Sequence, residues 1–133
     1  MTSTVIMSAV ACGTSTNVGD IFGAVKTTLQ ATTTLVYSNI LVTTTPLNAN
    51  LGAEIILWQA VSPTSYSSAA DGALALQATA KATIVNLKKP SLLTVEMVSD
   101  HLLACGAVYH YAWLSVPKVT DAFAVTTTLQ ELA

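Results

Sequence analysis

Arginine is absent from this chain, and the basic side chains are limited to Lys26, Lys81, Lys88, Lys89 and Lys118. Charged residues of both signs make up 9% of its 133 residues, where ordinary soluble proteins carry about 25%. So small a basic complement argues against nucleic-acid binding as the main activity, because neutralised phosphates supply most of that affinity. It does not imply disorder. Disordered chains pair low hydrophobicity with high net charge, whereas 52% of these residues are apolar and the formal net charge is -2. Long hydrophobic runs are missing as well: no stretch of about 18 apolar residues is free of Thr, Ser, Asn or Gly, so no membrane span is expected. The Val5–Ala11 run before Cys12 has no basic flank and is short for an export signal, which leads to an expectation of cytoplasmic synthesis without a signal peptide. The only cysteines are Cys12 and Cys105, and in an unsignalled chain such a pair is more often reduced than bridged. There is no Asn-x-Ser/Thr sequon, no phosphate-cradling glycine loop and no dinucleotide fingerprint.

Hydroxyls stand where charge is missing: Thr contributes 20 residues and Ser 11. Surfaces of this kind repel their own copies weakly, so homo-oligomeric self-association is the natural expectation. The chain also repeats itself. Val18 to Gln30 reappears as Val119 to Gln130, with nine of twelve positions identical once Gly23 is treated as an insertion. Two copies are too few for a solenoid, which needs at least three stacked units. The offset nevertheless distinguishes helix from strand. Phe22 and Val25 have helical spacing, but Phe123 and Val125 do not; alternation of Val25, Thr27 and Leu29, and of Val125, Thr127 and Leu129, suits both copies. The segment is therefore read as a strand twice over, in equivalent or neighbouring positions, with Gly23 as a β-bulge.

Turn residues punctuate the chain at intervals suited to strands. Strands are expected over 2–11, 32–45, 54–61, 74–87, 92–99 and 107–116, with the second repeat closing the chain. Helix competes in three places: after Asn17, from Ser67 to about Ala80, and from Ser91 to Cys105. The middle one has the best propensity because it is rich in Ala. These elements point to a mostly β protein: an antiparallel β-sandwich or jelly-roll-like single domain over 1–133, with at most one or two short helices. Residues 1–16 are a candidate extended N-terminal arm.

The clearest strand, 107–116, places Tyr109, Tyr111 and Trp113 on one face and Val108, His110, Ala112 and Leu114 on the other. That aromatic stripe is either core or, where exposed, an intersubunit or ligand contact. His101, Cys105 and His110, with Cys12, have ligand types that zinc accepts, and a Cys105 nucleophile paired with a histidine is conceivable. The spacing selects neither over chance, so no catalytic, cofactor or metal site is assigned and the chain is not expected to be an enzyme. Lys81, Lys88 and Lys89 form at best a weak nucleic-acid patch. The expectation is a self-assembling structural subunit such as a viral or phage coat, tail or decoration protein, whose partners are its own copies and other virion proteins. The alternatives are an appendage filament subunit, or a sandwich module that binds a carbohydrate or peptide on the aromatic stripe.

Overall fold

The computed structural model describes residues 2–12, 20–30, 33, 35–42, 54–86, 91–98, 109–117 and 123–132. They form eight strands and one helix: β1 (Thr2–Cys12), β2 (Ile21–Thr28), β3 (Leu35–Val42), β4 (Glu54–Ser62), α1 (Ala69–Leu76), β5 (Lys81–Asn86), β6 (Ser91–Val98), β7 (Tyr109–Ser115) and β8 (Phe123–Leu132). The pairing is nested. β1 pairs with β8, β2 with β7, β3 with β6 and β4 with β5, all antiparallel, as if one long hairpin had been rolled up. Lateral pairs β3–β8 and β4–β7 complete two four-stranded sheets, ordered β1-β8-β3-β6 and β2-β7-β4-β5. The domain is thus a β-sandwich with the strand pairing of a jelly roll. Residues 2–12 are no free arm, since β1 is hydrogen-bonded along β8; 13–16 lie outside the described residues.

Both sheets contribute to one core. Val36, Ile40 and Val42 of β3 and Val125 and Leu129 of β8 meet Ile55 and Leu57 of β4, Val85 of β5 and Ala112 and Leu114 of β7. Burying each of the Val, Leu and Ile side chains among them stabilises the fold by about 1.5–3 kcal/mol. A polar link crosses this core: Gln59 Oε1 of β4 accepts from Ser38 Oγ of β3 in the opposite sheet.

The two repeat copies are both strands, as their offset requires. They are not neighbours or equivalents within the chain: β2 is the edge of one sheet, whereas β8 lies between β1 and β3 in the other. What they share is direction. Val25 and Leu29 from one copy and Val125 and Leu129 from the other converge on the same core. Gly23 is a bulge, as expected. Between Phe22↔Leu114 and Val25↔Ala112, β2 spends one residue more than β7, and Gly23 has φ 64°, the left-handed conformation of a glycine opening a G1-type bulge. The extra residue lets Phe22 and Val25 both pack on the core despite being three apart.

The three helix candidates divide. The segments after Asn17 and from Ser91 are strands where described, while the Ala-rich middle segment forms α1. Ser68 caps it, its Oγ accepting from Asp71 N at 3.1 Å, and Thr79 N donates to Leu76 O at 3.1 Å just past the C-terminal end. The strand expected over 74–87 therefore survives only as β5. Its Ala/Leu alternation gives way to helix over 74–76, where Ala propensity and the Ser68 cap prevail.

Replacing Gly23 with Ala should cost about 1 kcal/mol, because a Cβ in the left-handed region is strained. Urea unfolding at neutral pH measures it, and Gly23→Asn, which tolerates that conformation better, should lose less.

Candidate contact surface

Every side chain of β7 from His110 to Ser115 is buried, on both faces of the sheet. Alternation sends His110, Ala112 and Leu114 into the core between the sheets and Tyr109, Tyr111 and Trp113 to the outer face. The β4–β5 connection, the one link that begins and ends in the same sheet, folds back over that face and carries α1 with it. Tyr111 organises this cover. Its hydroxyl donates to Thr64 O at 2.9 Å and accepts from Tyr66 N at 2.9 Å, and its ring meets Tyr66 edge-on with centroids 5.7 Å apart. Gly72 of α1 sits directly on the ring: a Cβ there would overlap Tyr111 Cε1 and Cδ1.

Trp113 stacks parallel to Trp58 of β4 at 6.4 Å between centroids, and Trp58 Nε1 donates to Ser115 Oγ at 2.8 Å. At the other end Lys26 Nζ donates to Ser65 Oγ at 2.5 Å and to Tyr66 O at 3.0 Å, and lies 4.9 Å from the centre of the Tyr109 ring. A lysine thereby fastens the cover to the edge strand β2, through two hydrogen bonds and a cation–π contact.

These positions decide the fate of the aromatic stripe. Tyr111 and Trp113 belong to the interior of the chain, and only Tyr109 of the three keeps accessible surface. The stripe on β7 therefore offers no flat aromatic platform for a sugar or peptide. Among the described residues the exposed large apolar side chains lie elsewhere: Ile84 on β5, Leu74 on α1 and Leu41 on β3. Ile84 is paired with the half-buried Ile56, next to Trp58, on the part of the outer face away from Tyr111. Sequence reasoning missed Ile84, because a β-branched residue in a short strand reads as core unless the sheet's edge is known.

Of the basic patch, Lys81 is exposed at the start of β5, and Lys88 and Lys89 lie outside the described residues, as do His101 and Cys105. Cys12 ends β1. His110 is fully buried and directed at Gln59, its Nε2 lying 3.0 Å from Oε1, so it is closed to solvent and is no partner for a solvent-reached nucleophile. Among the described residues no cluster of His, Cys, Asp or Glu is arranged to hold a metal. Since Gln59 Oε1 also accepts from Ser38, the proton of neutral His110 resides on Nε2, and its Nδ1 is left without a hydrogen-bond partner together with Gln59 Nε2 and Thr127 Oγ1. Burial lowers the His110 pKa from 6.5 to about 4.

Two predictions follow from this geometry. Gly72→Ala gains about 1 kcal/mol of helix propensity but drives a methyl into a ring fixed at both ends, an overpacking that costs about 1–3 kcal/mol. The net expectation is destabilisation, read by urea unfolding, with a changed near-ultraviolet tyrosine signal as α1 lifts. His110 makes stability acid-sensitive: above pH 6.5 both folded and unfolded states are neutral, but as pH falls towards 4 only the unfolded chain takes up the proton. About 3 kcal/mol should be lost between pH 7 and pH 4 on this account, and His110→Gln should flatten that part of the stability profile. The chain matches no protein-family model, and no curated protein matches its sequence.

Proposed function

We propose that this chain is a self-assembling structural subunit, of the kind that forms the coat, tail or decoration of a viral or phage particle, with copies of itself as its principal partner. One observation carries the reading: a jelly-roll sandwich, an architecture widely used by viral capsid domains, with an outer surface that is rich in hydroxyls and amides and poor in charge. Among the residues whose side-chain burial is described the exposed charged positions are Asp20, Glu54, Asp71 and Lys81, amid Thr28, Gln30, Thr64, Ser65, Ser67, Ser68, Gln77, Thr79 and Asn86. Such a surface costs little to desolvate and generates little repulsion between copies.

The same fold serves lectins and metal-dependent enzymes, so the fold alone does not choose. The side chains weigh against a sugar-binding module, because the aromatic residues that could stack on a ring are spent beneath α1. An enzyme built on Cys105 and His110 is disfavoured by the burial of His110. With Lys81 the only exposed lysine among the described residues, nothing favours a genome-binding role over a purely structural one.

Light scattering coupled to size exclusion, with negative-stain microscopy of the same fractions, tests the proposal. The expected result is a concentration-dependent species far above the 13.8 kDa of one chain, visible as shells, tubes or fibres. A monodisperse monomer at every concentration overturns it.

A further inference from the structure

A sheet edge presents a row of backbone donors and acceptors to any strand that approaches, and proteins that do not pair their edges blunt them with bulges, charged side chains or proline. The two sheets here have four edges: β1, β6, β2 and β5. β1 departs from regular register twice along β8, between Val5 and Met7 and between Met7 and Val10. β2 has the Gly23 bulge and Lys26 within its span. β6 carries Glu96 near its middle. β5 has neither bulge nor proline, and its one charge, Lys81, stands at its first residue. From Ala82 to Asn86 it holds no charge and no proline, its register along β4 runs unbroken from Glu54↔Asn86 to Gln59↔Lys81, and Ile84 at its centre is 64% exposed. Among the described residues β5 is paired on one side only, by β4.

Building on the self-assembly proposed above, we infer that β5 is a subunit contact, pairing antiparallel with β5 of a second copy about a two-fold axis through Ile84 and joining two four-stranded sheets into one of eight. The strand is self-complementary in that register. Ile84 meets its own mate, Ala82 meets Asn86 on the same outer face, and Thr83 meets Val85 on the inner one, so no two charges oppose each other. The register centred on Thr83 is worse, because it sets each Lys81 against Val85, which points into the core. Pairing at Ile84 also continues the apolar strip of Ile56 and Ile84 into its copy on the partner. It buries side chains that a lone subunit leaves in water, and isologous contacts of this type close as dimers that larger assemblies reuse.

Opposed charges test the axis. In Ile84→Lys or Ile84→Glu each subunit would face its own charge, and each variant should raise the dissociation constant of the pair at least about tenfold. An equimolar mixture of the two, now with opposite charges facing, should re-form the pair. If both variants associate as tightly as the unaltered chain while far-ultraviolet dichroism shows them folded, the β5 contact is overturned and self-assembly stands. Two dispersed variants that the mixture does not restore likewise exclude the symmetric register. A monomeric unaltered chain removes both this contact and the function it rests on. Should either charge unfold the chain, oxidation of Ile84→Cys gives a second reading: a covalent dimer mapped to position 84 supports the axis, and no bond at that position overturns it.

Discussion

Strand β7 is apolar on both faces, and much of the molecule is a response to that fact. A strand with Ala112 and Leu114 on one side and Tyr111 and Trp113 on the other has no face to offer to water, so its sheet needs two covers. The opposite sheet supplies one through β3 and β8. The other comes from the connection between β4 and β5, and this accounts for a helix among described elements that are otherwise all strands. The cover is held by polar bonds as much as by area, with Tyr111 and Lys26 reaching up from the sheet to the loop at 64–66. Gly72 allows the helix to come down onto the ring with no side chain between.

The core facing the other sheet obeys a different compromise. Gln59 accepts from Ser38 across the sandwich and from His110 beside it, so a polar cluster occupies space that hydrocarbon could fill. Such a cluster adds less stability than apolar packing would, since Gln59 Nε2 and His110 Nδ1 are buried without partners. In exchange it can favour one alignment of the sheets, because sliding either by a residue pair would strand Ser38 and Gln59 as well.

Local signals were legible in the sequence where a strand's own chemistry decides the outcome. The alternation through 109–115 places each residue of β7 on its observed face, the offset between the repeat copies locates the Gly23 bulge, and Ala-rich composition picks out α1 from three candidates. Partnership between strands was not legible. Nothing local says that β2 ends at an edge while β8 is enclosed, and so the repeat copies, alike in sequence, could not be assigned to different places. The aromatic stripe shows the same limit: alternation puts Tyr111 and Trp113 together, but only the path of the chain after β4 decides whether they meet water or a helix. Residues 2–12 resemble an arm for a similar reason, since a strand that is paired only with the last one in the chain has its partner at the greatest possible sequence distance.

The irregularities in register all fall on outer strands, two on β1 and one on β2, while the β3–β8, β3–β6, β4–β5 and β4–β7 ladders run without a slip. An outer strand has one neighbour to accommodate, and an extra residue can swell away from it; an enclosed strand would have to disturb two ladders at once. This explains why only the first copy of the repeat contains the glycine. The second copy, held between β1 and β3, has no room for it, so the difference in length between two nearly identical segments records how many neighbours each one has. By the same logic, gain or loss of a single residue along this chain should be tolerated in β1 and β2 and refused in β8, which makes the outer strands the places where its length is free to drift.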